Sequence, residues 1–142
     1  MYQKILLPID VDAQETWSDA VDAAILLAQA GGGEIHLVTV QPDFGMSVVG
    51  SYFPAGYEKK VEAEIAGKLQ TLAKEHFPGD ITVHAHVTHG KIYEQIIATA
   101  DKLDCDVIVM ASHRPALKDF LLGPNAARVV RHANCSVLVV RP

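Results

Sequence analysis

Short apolar runs rich in β-branched residues alternate along the chain with longer segments of helical periodicity. The apolar runs at 5–9, 34–40, 81–87, 106–110 and 136–140 predict five β-strands. The run at 81–87 alternates apolar and polar residues, which predicts an edge strand with one solvated face. The runs at 5–9 and 106–110 are apolar on both faces, as in strands covered by helices on both sides.

The segments between these strands predict four helices. Trp17, Val21, Ile25 and Ala28 form the apolar stripe of the first helix, which the glycine triplet 31–33 should end. Further stripes predict helices with Val61 to Leu72, from 91 to 103, and from 125 to 132. Alternating strands and helices predict one α/β domain over 1–142: a doubly wound, five-stranded parallel sheet with helices on both faces.

Composition excludes several classes of protein. Apolar residues make up 49% of the 142-residue chain, which a disordered protein would not reach, and two cysteines cannot build a disulfide scaffold. The net charge of −5 argues against nucleic acid as a partner. The apolar runs are too short to span a membrane, and no secretory signal is visible, so we expect a cytoplasmic protein.

Ligands of open parallel sheets bind beyond the carboxyl ends of the strands, so the residues directly after each strand are the first candidates. Asp10 follows the first strand. One interpretation is that it contacts a ribose, a base or a metal. The alternative is that Asp10 or Asp12 caps the first helix.

A second candidate lies after the fourth strand. Ser112, His113 and Arg114 form a polar, basic cluster there, and Gly123, Pro124 and Asn125 open the last helix. Backbone N–H groups at a helix start favour phosphate, so the two segments could form two sides of a phosphate cradle. The alternative is a solvated loop followed by an ordinary helix start with proline in its first turn.

Other chemistry has less support. His36, His84, His86 and His89 raise the question of a metal, but we expect them to be exposed strand histidines and predict no metal site. Cys105 and Cys135 form no CxxC motif and are predicted to be structural. The chain has no Walker A loop, no GxGxxG fingerprint after a strand and no GxSxG elbow.

The chain resembles the universal stress protein family over its whole length. The similarity lies in residues 4–10, in 106–112 and above all in 121–141, which is similar to the C-terminal signature of the family. The segment with Ser112 to Pro115 and Leu121 to Ala126 resembles the branch around universal stress protein F. The resemblance implies the strand order 3-2-1-4-5.

The resemblance also implies an ATP-binding regulatory or stress-response module, in which ATP is a conformational ligand and Mg²⁺ enters only with the nucleotide. Pro8, Ile9 and Asp10 would lie near ribose and base, and Val40 would offer backbone groups to the adenine. The phosphates would be surrounded by Met110, Ala111, Ser112, His113, Arg114, Gly123, Pro124 and Asn125. ATP would order the loops at 41–54 and 112–122.

Departures from the family's ATP-binding pattern favour a second hypothesis. That pattern has three spaced glycines followed by Ser or Thr; here Ala111 occupies the first glycine position and Pro124 replaces the hydroxyl residue. Proline also removes a backbone donor. The alternative function is therefore a nucleotide-free dimeric interaction protein of the same family.

Family members usually dimerise through the last strand, and Val137, Leu138 and Val139 suit such an interface because an unpartnered apolar edge promotes aggregation. An enzyme, either a slow ATPase or a nucleotidyl transferase, is a third hypothesis. Nothing in the sequence positions a water against a γ-phosphate, so we expect at most trace hydrolysis.

Overall fold

A computed structural model describes residues 1–41, 56–112 and 124–141. Five strands in this part of the chain form one parallel sheet: β1 (Lys4–Pro8), β2 (Glu34–Gln41), β3 (Val83–His89), β4 (Val107–Ala111) and β5 (Ser136–Val140). The four described helices are α1 (Gln14–Gly31), α2 (Tyr57–His76), α3 (Ile92–Lys102) and α4 (Pro124–His132). Within these ranges, no helix combines the length and hydrophobicity that crossing a bilayer requires.

The strand order is β3-β2-β1-β4-β5 and all neighbours pair in parallel, which confirms the predicted architecture. β3 begins and ends two residues later than the sequence pattern indicated, although it is an edge strand as predicted. The other strands agree with the predicted runs to within one residue at each end. Because the order runs outward from β1 in both directions, it reverses between β1 and β4.

Both faces of the central strand are fully buried. Ile5 and Leu7 face a core built with α1 and α2, whereas Leu6 faces a second core built with α3 and α4. Helices therefore cover both faces of the sheet, as the two-sided hydrophobicity of β1 predicted.

The carboxylate of Asp106, the residue before β4, holds the start of β1. The two oxygens of Asp106 accept hydrogen bonds from the backbone N–H groups of Gln3 and Lys4, at 2.8 and 3.1 Å. The N–H of Asp106 in turn donates to the carbonyl oxygen of Lys4 at 3.0 Å. This exchange of hydrogen bonds anchors the amino end of the central strand to a residue more than 100 positions away.

The glycine triplet ends α1, as predicted, and turns the chain into β2. Gly32 adopts the left-handed conformation with φ at 66°, which closes the helix. Gly33 lies against the backbone before β1: a Cβ atom there would be 2.7 Å from the carbonyl oxygen of Tyr2 and 2.8 Å from that of Gln3. Only glycine permits this approach.

We predict that Gly33→Ala destabilises the fold by about 1–3 kcal/mol, because neither backbone carbonyl can move without disturbing β1. The matched control is Gly67→Ala in α2, where nothing lies within 4 Å of the added methyl group and stability should rise by about 0.5–1 kcal/mol. Urea denaturation measures both effects. Equal effects of the two variants would contradict the close approach at Gly33.

Candidate functional site

A cleft of about 340 Å³ opens at the carboxyl ends of β1, β2 and β4, beside the point where strand order reverses. The first turns of α3 and α4 form its opposite wall. Its lining combines apolar and polar side chains: Pro8, Ile9, Asp10, Asp12, Val38, Thr39, Val40, Gln41, Ile92, Ile96, Met110 and Asn125. This is the place where open parallel sheets hold small ligands.

The segment after β1 is held rigidly. The N–H of Ile9 donates to the carbonyl oxygen of Val38 at 2.8 Å. The indole N–H of Trp17 donates to the carbonyl oxygen of Asp10 at 2.6 Å, and the Asp10 carboxylate accepts the N–H of Asp12 at 3.1 Å. Asp10 therefore stabilises the turn that precedes α1.

The alternative in which Asp10 or Asp12 caps the first helix is wrong, because neither residue is at the N-cap of α1. Helix α1 begins at Gln14, and the residue before it, Ala13, makes no side-chain capping bond. Ala13 separates Asp12 from the first helical residue, and the Asp10 carboxylate bonds within the turn instead. One of its oxygens accepts this bond, and the residue is exposed at the cleft.

The far side of the cleft is formed by β4 and α4. Met110 is buried, and Ala111 is the last residue of β4. The N–H of Ser112 donates to the carbonyl oxygen of Val140 at 3.0 Å, so it continues the pairing with β5. Pro124 is the first residue of α4, and Asn125 follows in the same first turn, at the positive end of the helix dipole.

The structure brings six of the predicted nucleotide residues together: Pro8, Ile9, Asp10, Val40, Met110 and Asn125 all line the cleft. Ala111, Ser112 and Pro124 are chain neighbours of these residues but do not line it. His113, Arg114 and Gly123 lie outside the described residues, as do most of the two loops that ATP was predicted to order.

Sequence reasoning missed Ile92 and Ile96 as cleft residues, although both fall within the helix predicted from 91 to 103. The available signal was topological. A right-handed crossover from β3 returns α3 across the sheet, so the first turns of α3 lie beside the carboxyl ends of the strands.

Comparison with known proteins decides the family. The model of the universal stress protein family matches residues 1–141. The chain belongs to this family. The matched relatives include universal stress protein G of Shigella flexneri and of Escherichia coli O157:H7, each 38% identical over 99% of this chain and 100% of its own length. The predicted closeness to the branch around universal stress protein F stays a prediction.

Solved structures of similar fold agree with this assignment. The hypothetical protein MJ0577 superposes with a TM-score of 0.82 at 28% identity, covering 100% of this chain and 97% of its own. A universal stress protein in complex with cAMP superposes with a TM-score of 0.61 at 21% identity, covering 99% and 97%. Because its sequence identity is 21%, the second similarity shows the shared fold alone.

Strand β5 forms the second edge of this universal stress protein's sheet. Val137 and Val139 are half-buried and in register with Ile108 and Met110 of β4, and Val137 packs against the α3–α4 core. Leu138 points the other way and is 39% exposed. A large apolar side chain therefore lies on an edge strand whose outer backbone groups have no neighbour within the described residues.

Three of the four strand histidines, His36, His84 and His86, form a cluster instead of standing alone in solvent. His36 is buried, so the prediction that it would be exposed is wrong; His84 and His89 are exposed as predicted, and His86 is intermediate. His36 is buried because in-register pairing of β2 with β3 stacks the rings of His84 and His86 against it, with ring centroids 4.8 and 5.2 Å away.

The cluster changes the acidity of its members. A hydrogen bond with His36 holds the pKa of the Glu34 carboxyl below its ordinary value. Burial lowers the pKa of His86, and the neighbouring His36 and His84 add to this effect because a positive charge on either repels a proton on His86. Both shifts favour a negatively charged Glu34 and a neutral His86 near pH 7.

Both cysteines have environments that suppress thiolate formation. Burial raises the pKa of the Cys105 thiol to about 12, and burial also raises the pKa of Cys135. Both side chains pack into the core between the sheet, α3 and α4. These observations agree with the structural role predicted for them.

We predict that Cys105 resists iodoacetamide in the folded protein at pH 8. A rise in pKa from 9.0 to about 12 lowers the thiolate fraction roughly 1,000-fold, and burial lowers access further. Mass spectrometry after timed alkylation measures the reaction, with the same chain unfolded in urea as the control. Rapid modification of Cys105 in the folded protein would show that the thiol is accessible and activated.

Proposed function

We propose that this universal stress protein is an ATP-binding regulatory module in which the nucleotide stabilises one conformation. The observation that carries the proposal is the cleft at the carboxyl ends of β1, β2 and β4. It gathers six residues that the family resemblance assigns to nucleotide contacts. Its volume of about 340 Å³ lies at the lower end of the range of small-molecule sites.

The lining divides into an apolar part and a polar part. Ile92, Ile96 and Val40 offer apolar surface to a flat aromatic base, and the backbone at the end of β2 can read its edge. Asp10 stands beside the place that a ribose would occupy. A protein with the same fold has been solved with cAMP, so this architecture can hold an adenine nucleotide.

The phosphates would lie against the first turn of α4. The backbone N–H of Asn125 is the first amide donor of this helix because Pro124 has none. The amide side chain of Asn125 adds a further donor. His113 and Arg114 follow β4 in the sequence, and we propose that their side chains contact the phosphates as well. Arg114→Ala should then weaken ATP binding at least tenfold.

We propose that ATP is a ligand and not a substrate that is turned over. The cleft residues supply apolar contact, amide groups and the two carboxylates of Asp10 and Asp12, and Asp10 already uses one carboxylate oxygen to hold the turn after β1. Multiple-turnover ATP hydrolysis that disappears in His113→Ala would overturn this part of the proposal. Any Mg²⁺ would enter with the nucleotide, and Asp10 is the cleft carboxylate that we propose for contact with it.

Asn125→Asp is the sharpest test of the cleft. An aspartate in the first turn of α4 favours the helix dipole, so the fold should keep its stability, while its charge repels phosphate. We expect MgATP affinity to fall at least about tenfold by calorimetry. The matched control is Gln70→Glu, the same amide-to-acid change on the exposed surface of α2, which should leave the affinity unchanged.

Two further results separate ATP binding from the nucleotide-free alternative. In the unsubstituted protein, MgATP at 100 times its dissociation constant adds about 2.7 kcal/mol, which raises Tm by roughly 10 °C. No shift and no co-purified nucleotide would contradict the proposal. If binding then appeared in Pro124→Ser, the proline would be what closes the site, and the chain would act as a dimeric interaction protein.

We propose that the protein forms a homodimer through β5. Pairing two copies of this edge strand would cover Leu138 and would satisfy the outer backbone groups of β5, which have no partner within the described residues. Leu138→Glu should then shift the protein from dimer to monomer in analytical ultracentrifugation. The matched control is Leu26→Glu, the same change at a residue of α1 that is 68% exposed, which should leave the dimer intact. A dimer that survives Leu138→Glu would exclude this interface.

A further inference from the structure

A cluster of metal-ligating side chains lies on the sheet away from the proposed nucleotide cleft. It consists of Glu34 and His36 on β2 and of His84 and His86 on β3. Residues two apart on a strand point to the same face, and the register sets His36 directly beside His84. All four side chains therefore project from the α3–α4 face of the sheet, towards the amino ends of the strands. The proposed nucleotide cleft lies at the other end.

The donor atoms of three of these residues lie close together. Nε2 of His36 is 2.9 Å from Oε1 of Glu34, and Nε2 of His84 is 3.7 Å from Oε2 of Glu34. One donor atom from each of Glu34, His36 and His84 lies within 4.8 Å of the others. Ligand atoms of a tetrahedral Zn²⁺ site are about 3.3 Å apart, given metal–ligand distances near 2.0–2.1 Å. The distances from the two histidines to the oxygens of Glu34 lie on either side of that value, and the two histidine donors lie within 4.8 Å of each other.

His36 also has the support that a metal ligand needs. Its other ring nitrogen, Nδ1, lies 2.9 Å from Nε2 of His86. With a metal on Nε2, His36 donates its Nδ1–H to His86, which fixes the orientation of the ring. Without a metal, the proton on Nε2 of His36 goes to Glu34 and His86 donates to Nδ1, so either state leaves the buried ring paired.

The site is open on one side. The side chain of His36 is 9% exposed, that of Glu34 33% and that of His84 48%. The rings of His36 and His84 are stacked with an angle of 20° between their planes, so a shared metal requires the His84 ring to tilt until its lone pair converges. The exposed position of His84 at the sheet edge leaves room for that rotation, and solvent can reach a fourth coordination position.

We propose that Glu34, His36 and His84 bind a divalent transition metal of the Zn²⁺ class, with His86 as the residue that positions His36. Two imidazoles and one carboxylate are a ligand set that suits Zn²⁺, whereas Mg²⁺ and Ca²⁺ prefer oxygen donors. The buried His36 provides the fixed ligand, and the two exposed residues close on the ion. The site is separate from the proposed nucleotide cleft and does not depend on ATP.

Titration of the full-length, tag-free chain with ZnCl₂ in the absence of nucleotide tests the proposal. Calorimetry should show one high-affinity equivalent of Zn²⁺. Glu34→Gln and His84→Ala, two changes at partly exposed residues that should leave the fold intact, should each weaken this binding at least tenfold. His86→Gln should weaken it roughly 10–100-fold, as expected for a residue that orients a ligand.

The matched control is His89→Ala. His89 is another exposed histidine of β3, and its ring nitrogen contacts only Glu62, at 3.4 Å, among the described residues. Its removal should leave Zn²⁺ affinity unchanged. Absorption of the Co²⁺-substituted protein should show the bands of tetrahedral nitrogen and oxygen coordination, and these bands should be lost in His84→Ala.

Two results would overturn the metal site. One is the absence of Zn²⁺ binding by the unsubstituted chain while circular dichroism shows it folded. The other is Zn²⁺ binding whose affinity is the same in Glu34→Gln, His84→Ala and His89→Ala. Either result would mean that the four residues form only a hydrogen-bonded network within the sheet.

Discussion

Burial of β1 on both faces is the constraint on which the other features of this protein depend. Ile5, Leu6 and Leu7 are completely excluded from solvent, so helices must cover both sides of the sheet. A parallel sheet with helices on both sides needs crossovers that run outward from the central strand in two directions. The reversal between β1 and β4 leaves the crevice in which the cleft is found. The position of the cleft therefore follows from the division of the core into one part on each face of the sheet.

Much of this architecture could be predicted from hydrophobic patterning. The continuous apolar runs of β1 and β4 identified the buried centre of the sheet, and the alternation in β3 identified an edge. Positions after strand ends were enough to find Asp10 and Asn125 as cleft residues, because parallel strands bring their carboxyl ends to one side, whereas Met110 came from the family resemblance. The strand topology alone therefore predicts where the cleft lies, without the help of a recognisable binding motif.

The histidine cluster could not be predicted in the same way, because it depends on register. Glu34-x-His36 and His84-x-His86 each show only that two side chains share a face of a strand. That the two pairs meet follows from the alignment of His36 with His84, which is set by packing across the whole β2–β3 pair. A shift of one residue in that register would turn both histidines of β3 to the opposite face. The contribution of Asp10 was hidden for a related reason: its carboxylate satisfies a backbone donor of a turn whose shape only the structure shows.

The hydrogen bonds between Asp106 and the start of β1 join two parts of the chain that the ribosome makes far apart in time. The central strand β1 leaves the ribosome before its partner β4, which follows only after about 100 further residues; these residues take roughly 5–20 s at typical rates of synthesis. During that interval β1 can pair with β2 on one side, while the backbone groups of its other edge still lack their partner β4. The nascent protein thus carries the fully buried residues Ile5 to Leu7 in a strand with one open edge until β4 has been made, and an open edge can pair with other chains.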